Sequence, residues 1–157
     1  ALGAAVGLGG PGGWPAARAA DRPEFARLRK GYKRLNYLLE NFEELTTNAD
    51  GGRTPDIVRE YLGLKDTTDP LFNIQKVLVK AADSVDPDKI DDFQEALEKW
   101  ESAVAGANGE SFISSFGEYN PGGGKAQVEK YIDRARDQAI AAKTNLERMC
   151  KALDAGC

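Results

Sequence analysis

The sequence predicts an all-α protein, namely an up-down-up-down four-helix bundle with a broken second helix and an extended N-terminal arm. Apolar residues recur at alternating steps of three and four in several long segments, which is the spacing of one helical face. Stretches rich in Gly, or containing Asp-Pro, separate these segments. No useful length of chain alternates with the period of two that is typical of a strand. We therefore divide the 157 residues into an arm, residues 1–20, and one helical domain, residues 21–157.

The first helix is predicted from Pro23, which suits a first turn because its missing N–H would have no partner there. The stretch NADGG at 48–52 ends it. Its apolar stripe is Phe25, Leu28, Tyr32, Leu35, Leu39 and Phe42.

The second helix is predicted in two pieces. Thr54 caps a short helix that ends at Gly63, and Asp69-Pro70 starts the next piece. The apolar residues are Ile57, Val58, Tyr61 and Leu62 in the first piece and Leu71, Ile74, Val77, Leu78 and Ala81 in the second.

The third helix is predicted from Asp86-Pro87 to Gly106, and the fourth from near Lys125 to a terminator at Gly156. Residues 107–124 connect them, and we expect a helical turn there that packs Phe112, Ile113 and Phe116 on the core. The stripe of the third helix is Ile90, Phe93, Leu97, Trp100 and Val104. That of the fourth is Val128, Ile132, Ala135, Ala139, Ala142, Leu146, Met149 and Leu153.

Composition argues against several function classes. The net charge of −4 is unlike that of a general nucleic-acid binder. There is no histidine, and two cysteines are too few for a structural zinc site. No apolar run approaches the ~18 residues that span a bilayer. We find no catalytic constellation, so the sequence predicts a non-enzyme without cofactor or metal, and we expect no transmembrane helix.

The two cysteines, Cys150 and Cys157, leave two alternatives. On one continuous helix they would lie ~10 Å apart along the axis, which exceeds disulfide reach. A disulfide therefore requires the chain to turn back at Gly156. The alternative is a buried free thiol at Cys150, beside the core stripe.

The first half of the first helix is strongly basic. One explanation is internal: acidic residues at 86–95 could lie at the same end of the bundle and balance the charge. The other is an acidic protein partner or anionic lipid headgroups. The basic residues are Arg22, Arg27, Arg29, Lys30, Lys33 and Arg34, against Glu24 alone.

Trp14 lies in a Gly/Pro-rich stretch with no helical stripe to join, so it docks either on its own bundle or on a partner. We hypothesise one partner-binding surface with Trp14 as the apolar anchor. Its charged rim would be Arg27, Lys30 and Arg34, which fall on one helical face.

Three stretches together resemble a known family: RLNYLLENFEELTT at 34–47, DTTDPLFNIQKVLVKAAD at 66–83 and FGEYNPGGG at 116–124. They are similar to a lumenal extrinsic subunit of photosystem II in red-lineage algae. This is the additional four-helix subunit first known from diatoms, related in architecture to the PsbQ family. The resemblance covers about residues 22–155.

This resemblance implies a non-catalytic subunit in the chloroplast thylakoid lumen, peripheral to the thylakoid membrane and bound to the photosystem II core and to other extrinsic subunits. Family members support and shield the oxygen-evolving centre and help to retain calcium and chloride. No ligand residues are implied. Residues 1–20 also resemble the end of a thylakoid-transfer signal, with Ala17-Arg18-Ala19 as a cleavage site, or they are a retained arm.

Two other functions remain open. One is a four-helix bundle that carries a pigment or lipid, and the other is a linker subunit of photosystem I or its antenna. A carrier should contain a sizeable apolar cavity between helices, whereas a docking subunit should have a dry core.

Overall fold

The computed structural model describes residues 22–114 and 124–157, and these residues are mostly helical. The predicted arm, residues 1–20, and Phe116 lie outside them. The described residues contain no strand; an isolated bridge joins Thr47 and Arg53 across the turn that ends the first helical segment. The all-α class is therefore confirmed. The helices are α1 Pro23–Glu40, α2 Phe42–Leu45, α3 Asp56–Tyr61, α4 Ile74–Ala81, α5 Ile90–Ser114 and α6 Lys125–Ala152, with a 3₁₀ turn Ala82–Ser84 after α4.

The two long helices α5 and α6 pack against each other, and this is the most extensive contact between elements of the described chain. Small side chains let two helices approach closely, and alanines occupy buried positions on both. They are Ala96, Ala103 and Ala107 on α5 and Ala135, Ala139 and Ala142 on α6. The predicted stripe of α6 is buried along its whole length.

Helix α1 packs on α6 and buries the predicted stripe residues Phe25, Leu28 and Leu35. It ends at Glu40, earlier than the predicted end at 48–52, because Asn41 leaves helical geometry, with φ −117°, and its side-chain amide donates to the Tyr37 carbonyl at 2.9 Å. The single turn α2 then carries Phe42 into the core.

The second piece of the broken helix begins later than predicted, at Ile74 rather than Asp69. Residues 64–73, which we call the strap, form successive turns instead. The Asp69 carboxylate accepts a hydrogen bond from the Leu71 backbone N–H at 2.8 Å, and this local bond competes with helix formation. Asn73 then adopts a left-handed conformation, with φ 52°, immediately before α4.

Two glycines allow the strap to lie close to its neighbours. A side chain at Gly31 of α1 would collide with the Leu71 side chain, and one at Gly63 would collide with the Leu71 backbone. Gly63 also has φ +77°, which side chains with a Cβ rarely adopt.

The prediction that Gly106 ends the third helix is wrong, because α5 continues to Ser114. The expected turn that buries Phe112 and Ile113 is wrong as well. Phe112 is 59% exposed, whereas Ser111 and Ser114 are buried. The helical register past Gly106 places small polar residues on the inner face, so the apolar pair lies on the outer face.

The chain reverses after α6 and closes a disulfide between Cys150 and Cys157, with the two Cα atoms 5.9 Å apart. The reversal begins before Gly156: Asp154 has φ 53°, and the Ala155 N–H donates to the Cys150 carbonyl at 2.9 Å. Of the two alternatives for Cys150, the structure therefore contains the disulfide and not the free thiol.

Candidate functional site

The basic half of α1 holds the strap. Arg27 donates through Nε to the Pro70 carbonyl at 3.1 Å and through a terminal nitrogen to the Phe72 carbonyl. Two turns along, Arg34 forms an ion pair with Asp69, whose side chain is only 2% exposed. Two arginines on this helical face are therefore paired with backbone carbonyls of the strap and with one buried carboxylate.

Tyr61 completes the contact. The Arg34 guanidinium lies over the Tyr61 ring, 4.7 Å from the ring centroid, which is a cation–π arrangement. Arg34 thus joins α1, the end of α3 and the strap. A lysine could not replace it, because the planar guanidinium makes the ion pair and the ring contact together.

These contacts use two of the three residues that we predicted as the charged rim of a partner-binding surface. Arg27 and Arg34 are half-buried and are engaged within the chain, whereas Lys30 is exposed. Trp14, the predicted anchor, lies outside the described residues. Of the described rim residues, Lys30 is therefore the one that remains exposed for a partner-binding role.

Two of the acidic residues at 86–95, which we expected to balance the charge of α1, are paired with α6. Asp92 and Glu95 both bind Arg148 on α6, the Glu95 contact being 2.6 Å long, and Lys99 lies 2.8 Å from Glu95. Lys99 and then Arg148 lower the pKa of Glu95 to about 2. The partner of Asp92 and Glu95 is therefore the C-terminal half of α6, whereas Asp86 pairs with Lys89 of its own segment.

An open groove of about 440 Å³ lies between the strap and α5. Trp100, which is almost fully buried, forms part of its lining, whereas Leu64 on the strap side is 40% exposed. The lining is Leu62, Gly63, Leu64, Leu71, Phe72, Asn73, Ile74, Gln75, Trp100, Glu101, Val104, Ala105 and Asn108. The groove is thus mostly apolar, with polar groups at its edges.

Two side-chain hydrogen bonds connect α5 to the helices on the other side of the groove. Arg59 of α3 donates to the Asn108 side chain of α5 at 2.8 Å, and Gln75 of α4 donates to the Glu101 carboxylate. These bonds lie two helical turns apart on α5. Chemically, the groove can receive an apolar side chain or a small apolar molecule.

Sequence reasoning missed the groove and the contacts by which Arg27 and Arg34 of α1 hold the strap. Leu64 and Phe72 belong to no helical stripe, which was the available signal of an apolar surface between elements. The contacts of Arg27 and Arg34 give no comparable signal in the sequence, because two of the acceptors are backbone carbonyls.

Within residues 22–114 and 124–157, no group of three or more His, Cys, Asp or Glu side chains is arranged to hold a metal ion. No helix in this part of the chain is long and apolar enough to cross a bilayer.

The chain was compared with models of known protein families, with curated proteins and with solved structures, and nothing matches it in any of the three comparisons.

Proposed function

We propose that this chain is a non-catalytic extrinsic subunit of photosystem II, bound on the lumenal side of the thylakoid membrane, where it supports and shields the oxygen-evolving centre. In this proposal the four helical segments of an up-down-up-down bundle are α1, the α3–α4 segment, α5 and α6.

The observation that carries the proposal is where the resembling stretches meet. Arg34 opens the stretch at 34–47 and Asp69 lies in the stretch at 66–83, and the two form the ion pair that holds the strap. Within the described residues, two of the three resembling stretches therefore build a scaffold by contacting each other. This is the role expected of a docking subunit without ligand residues.

The disulfide supports the proposed compartment. Disulfides persist in oxidising environments and are rare where cellular reductants keep thiols reduced. The bond between Cys150 and Cys157 is thus in keeping with a lumenal protein.

Exposed lysines on α1 and α4 supply a candidate surface for an acidic partner. Lys76 and Lys80 lie one turn apart on α4, with Val79, which is 55% exposed, between them. Arg22 donates to the Ser84 hydroxyl at 3.3 Å, so the start of α1 and the end of the α4 segment lie side by side. Lys30, Lys76 and Lys80 would then face the acidic surface of the membrane complex.

The test is rebinding to salt-washed thylakoid membranes from a red-lineage alga. We expect the triple variant Lys30→Glu, Lys76→Glu and Lys80→Glu to bind more weakly, most of all at low salt, because rim charges mainly affect association and its salt dependence. The matched control reverses three exposed lysines of α6, Lys125, Lys130 and Lys151. Absence of binding by the parent chain would reject the function, and equal loss in both variants would reject the surface.

A further inference from the structure

We infer that the groove between the strap and α5 is the docking site of the chain's own N-terminal arm, with the Trp14 side chain as its occupant. The inference goes beyond the proposed function, because it concerns the isolated chain and requires no photosystem.

The arm starts close to the groove. Arg22, the first described residue, donates to Ser84, and Arg27 one turn further binds the carbonyl of Phe72, which lines the groove. The segment 74–84, which runs from the groove to Ser84, is roughly 15 Å long at 1.5 Å per helical residue. Arg22 lies eight residue steps after Trp14, and these steps span up to ~27 Å when extended. Trp14 can therefore reach the groove with slack.

The chemistry of the arm fits the groove. An indole carries a large apolar surface with one N–H donor, and the groove offers an apolar lining with the Asn73, Gln75 and Asn108 amides at its edges.

Charge is complementary as well. Arg18 is the one charged residue among residues 1–20, and Glu101 is the charged residue among those that line the groove. With Trp14 in the groove, Arg18 four residues later can approach the Glu101 carboxylate at the exposed edge.

The test uses the full chain labelled with 5-fluorotryptophan and observed by ¹⁹F NMR. The chain has two tryptophans, so Trp14→Phe identifies the Trp14 signal, and the Trp100 signal reports the integrity of the fold. A soluble nitroxide measures the exposure of each indole. We expect the Trp14 signal to be shifted from that of a free peptide of residues 1–21 and to be broadened several-fold less by the nitroxide.

Two variants localise the contact. Ala105→Glu places a charge in the mouth of the groove at an exposed helical position, and Ser102→Glu places the same charge on α5 away from the groove lining. We expect Ala105→Glu to return Trp14 to the shift and exposure of the peptide, and Ser102→Glu to leave it unchanged.

Three results would overturn the inference. The first is a Trp14 signal identical to that of the free peptide. The second is a Trp14 shift that depends on protein concentration, which would assign the groove to the arm of a second copy. The third is an apolar molecule extracted by organic solvent whose removal moves Trp100 but not Trp14, which would make the groove a ligand site.

Discussion

The side chains of Arg34 and Asp69 differ in their exposure to solvent. Asp69 is buried and also accepts the Leu71 N–H, whereas the Arg34 side chain is about one-third exposed. A buried charge without a partner is costly, but a partly exposed charge is solvated by water. Loss of the two partners should therefore have unequal effects on stability.

We expect Arg34→Met to lower the free energy of unfolding by about 3 kcal/mol, because it leaves a buried carboxylate without its partner. Asp69→Asn should cost less, about 1–2 kcal/mol, since the amide oxygen still accepts the Leu71 N–H and water solvates Arg34. Urea unfolding followed by circular dichroism measures both. The double variant should cost less than the sum of the single ones. A greater loss for Asp69→Asn than for Arg34→Met would contradict this account.

At the scale of helices and turns, sequence periodicity predicted the long elements well. Pro23 does begin α1, Lys125 does begin α6, and most stripe residues of both helices are buried. Periodicity works here because one face of each helix contacts the core along its length. The prediction that failed was the use of Gly106 as a helix end, because burial between α5 and α6 outweighs the modest helix cost of one glycine.

The strap could not be predicted in this way. It depends on the side chain of Asp69 and on two close approaches of Leu71, one to Gly63 and one to Gly31, which is distant in sequence. The same holds for the destination of Arg27, whose acceptors are the carbonyls of Pro70 and Phe72. The sequence does not show which backbone carbonyl an arginine will bind, since every residue has a backbone carbonyl.

The start of α5 is tied to the end of α6 by Arg148, and this tie should depend on pH. The pKa of Glu95 is lowered from 4.5 to about 2 by Lys99 and Arg148, and that of Arg148 is raised by Asp92 and Glu95. A lowered carboxyl pKa contributes stability above its ordinary value, and this contribution is lost as the pH falls through the folded-state pKa. The window for Glu95 therefore lies between pH 4.5 and about 2.

We expect Arg148→Met to raise the pKa of Glu95, but not fully to its ordinary value, because Lys99 remains 2.8 Å away. A carboxyl ¹³C NMR titration measures this pKa directly. The stability difference between parent and variant should be constant near neutral pH and shrink below pH 4.5. Lys151→Met, which removes an i,i+4 pair with Glu147 on the same helix, is the control and should leave Glu95 unchanged. An unchanged Glu95 midpoint in Arg148→Met would refute the assignment.

At the scale of the whole molecule, the C-terminal tail connects the last described helix to the first. Leu153 and Ala155 are buried, and Arg29 of α1 donates to the Ala155 carbonyl at 2.8 Å. The disulfide links this tail to α6, since Cys150 is on α6 and Cys157 lies beyond the reversal. Loss of the disulfide should therefore weaken the joint between α1 and α6 without separating α5 from α6.

Reduction of the disulfide should lower the free energy of unfolding by about 2.5 kcal/mol, the chain-entropy value for a loop closed over residues 150–157. Urea unfolding of oxidised and reduced parent chain measures this loss while both sulfur atoms are kept. The double variant Cys150→Ala and Cys157→Ala should match the reduced chain and lose tail residues faster to carboxypeptidase. Helical circular dichroism should persist in both, because the buried alanine faces of α5 and α6 do not depend on the tail. Equal stability of the oxidised and reduced chains would show that Arg29 and the buried tail residues hold this joint without the disulfide.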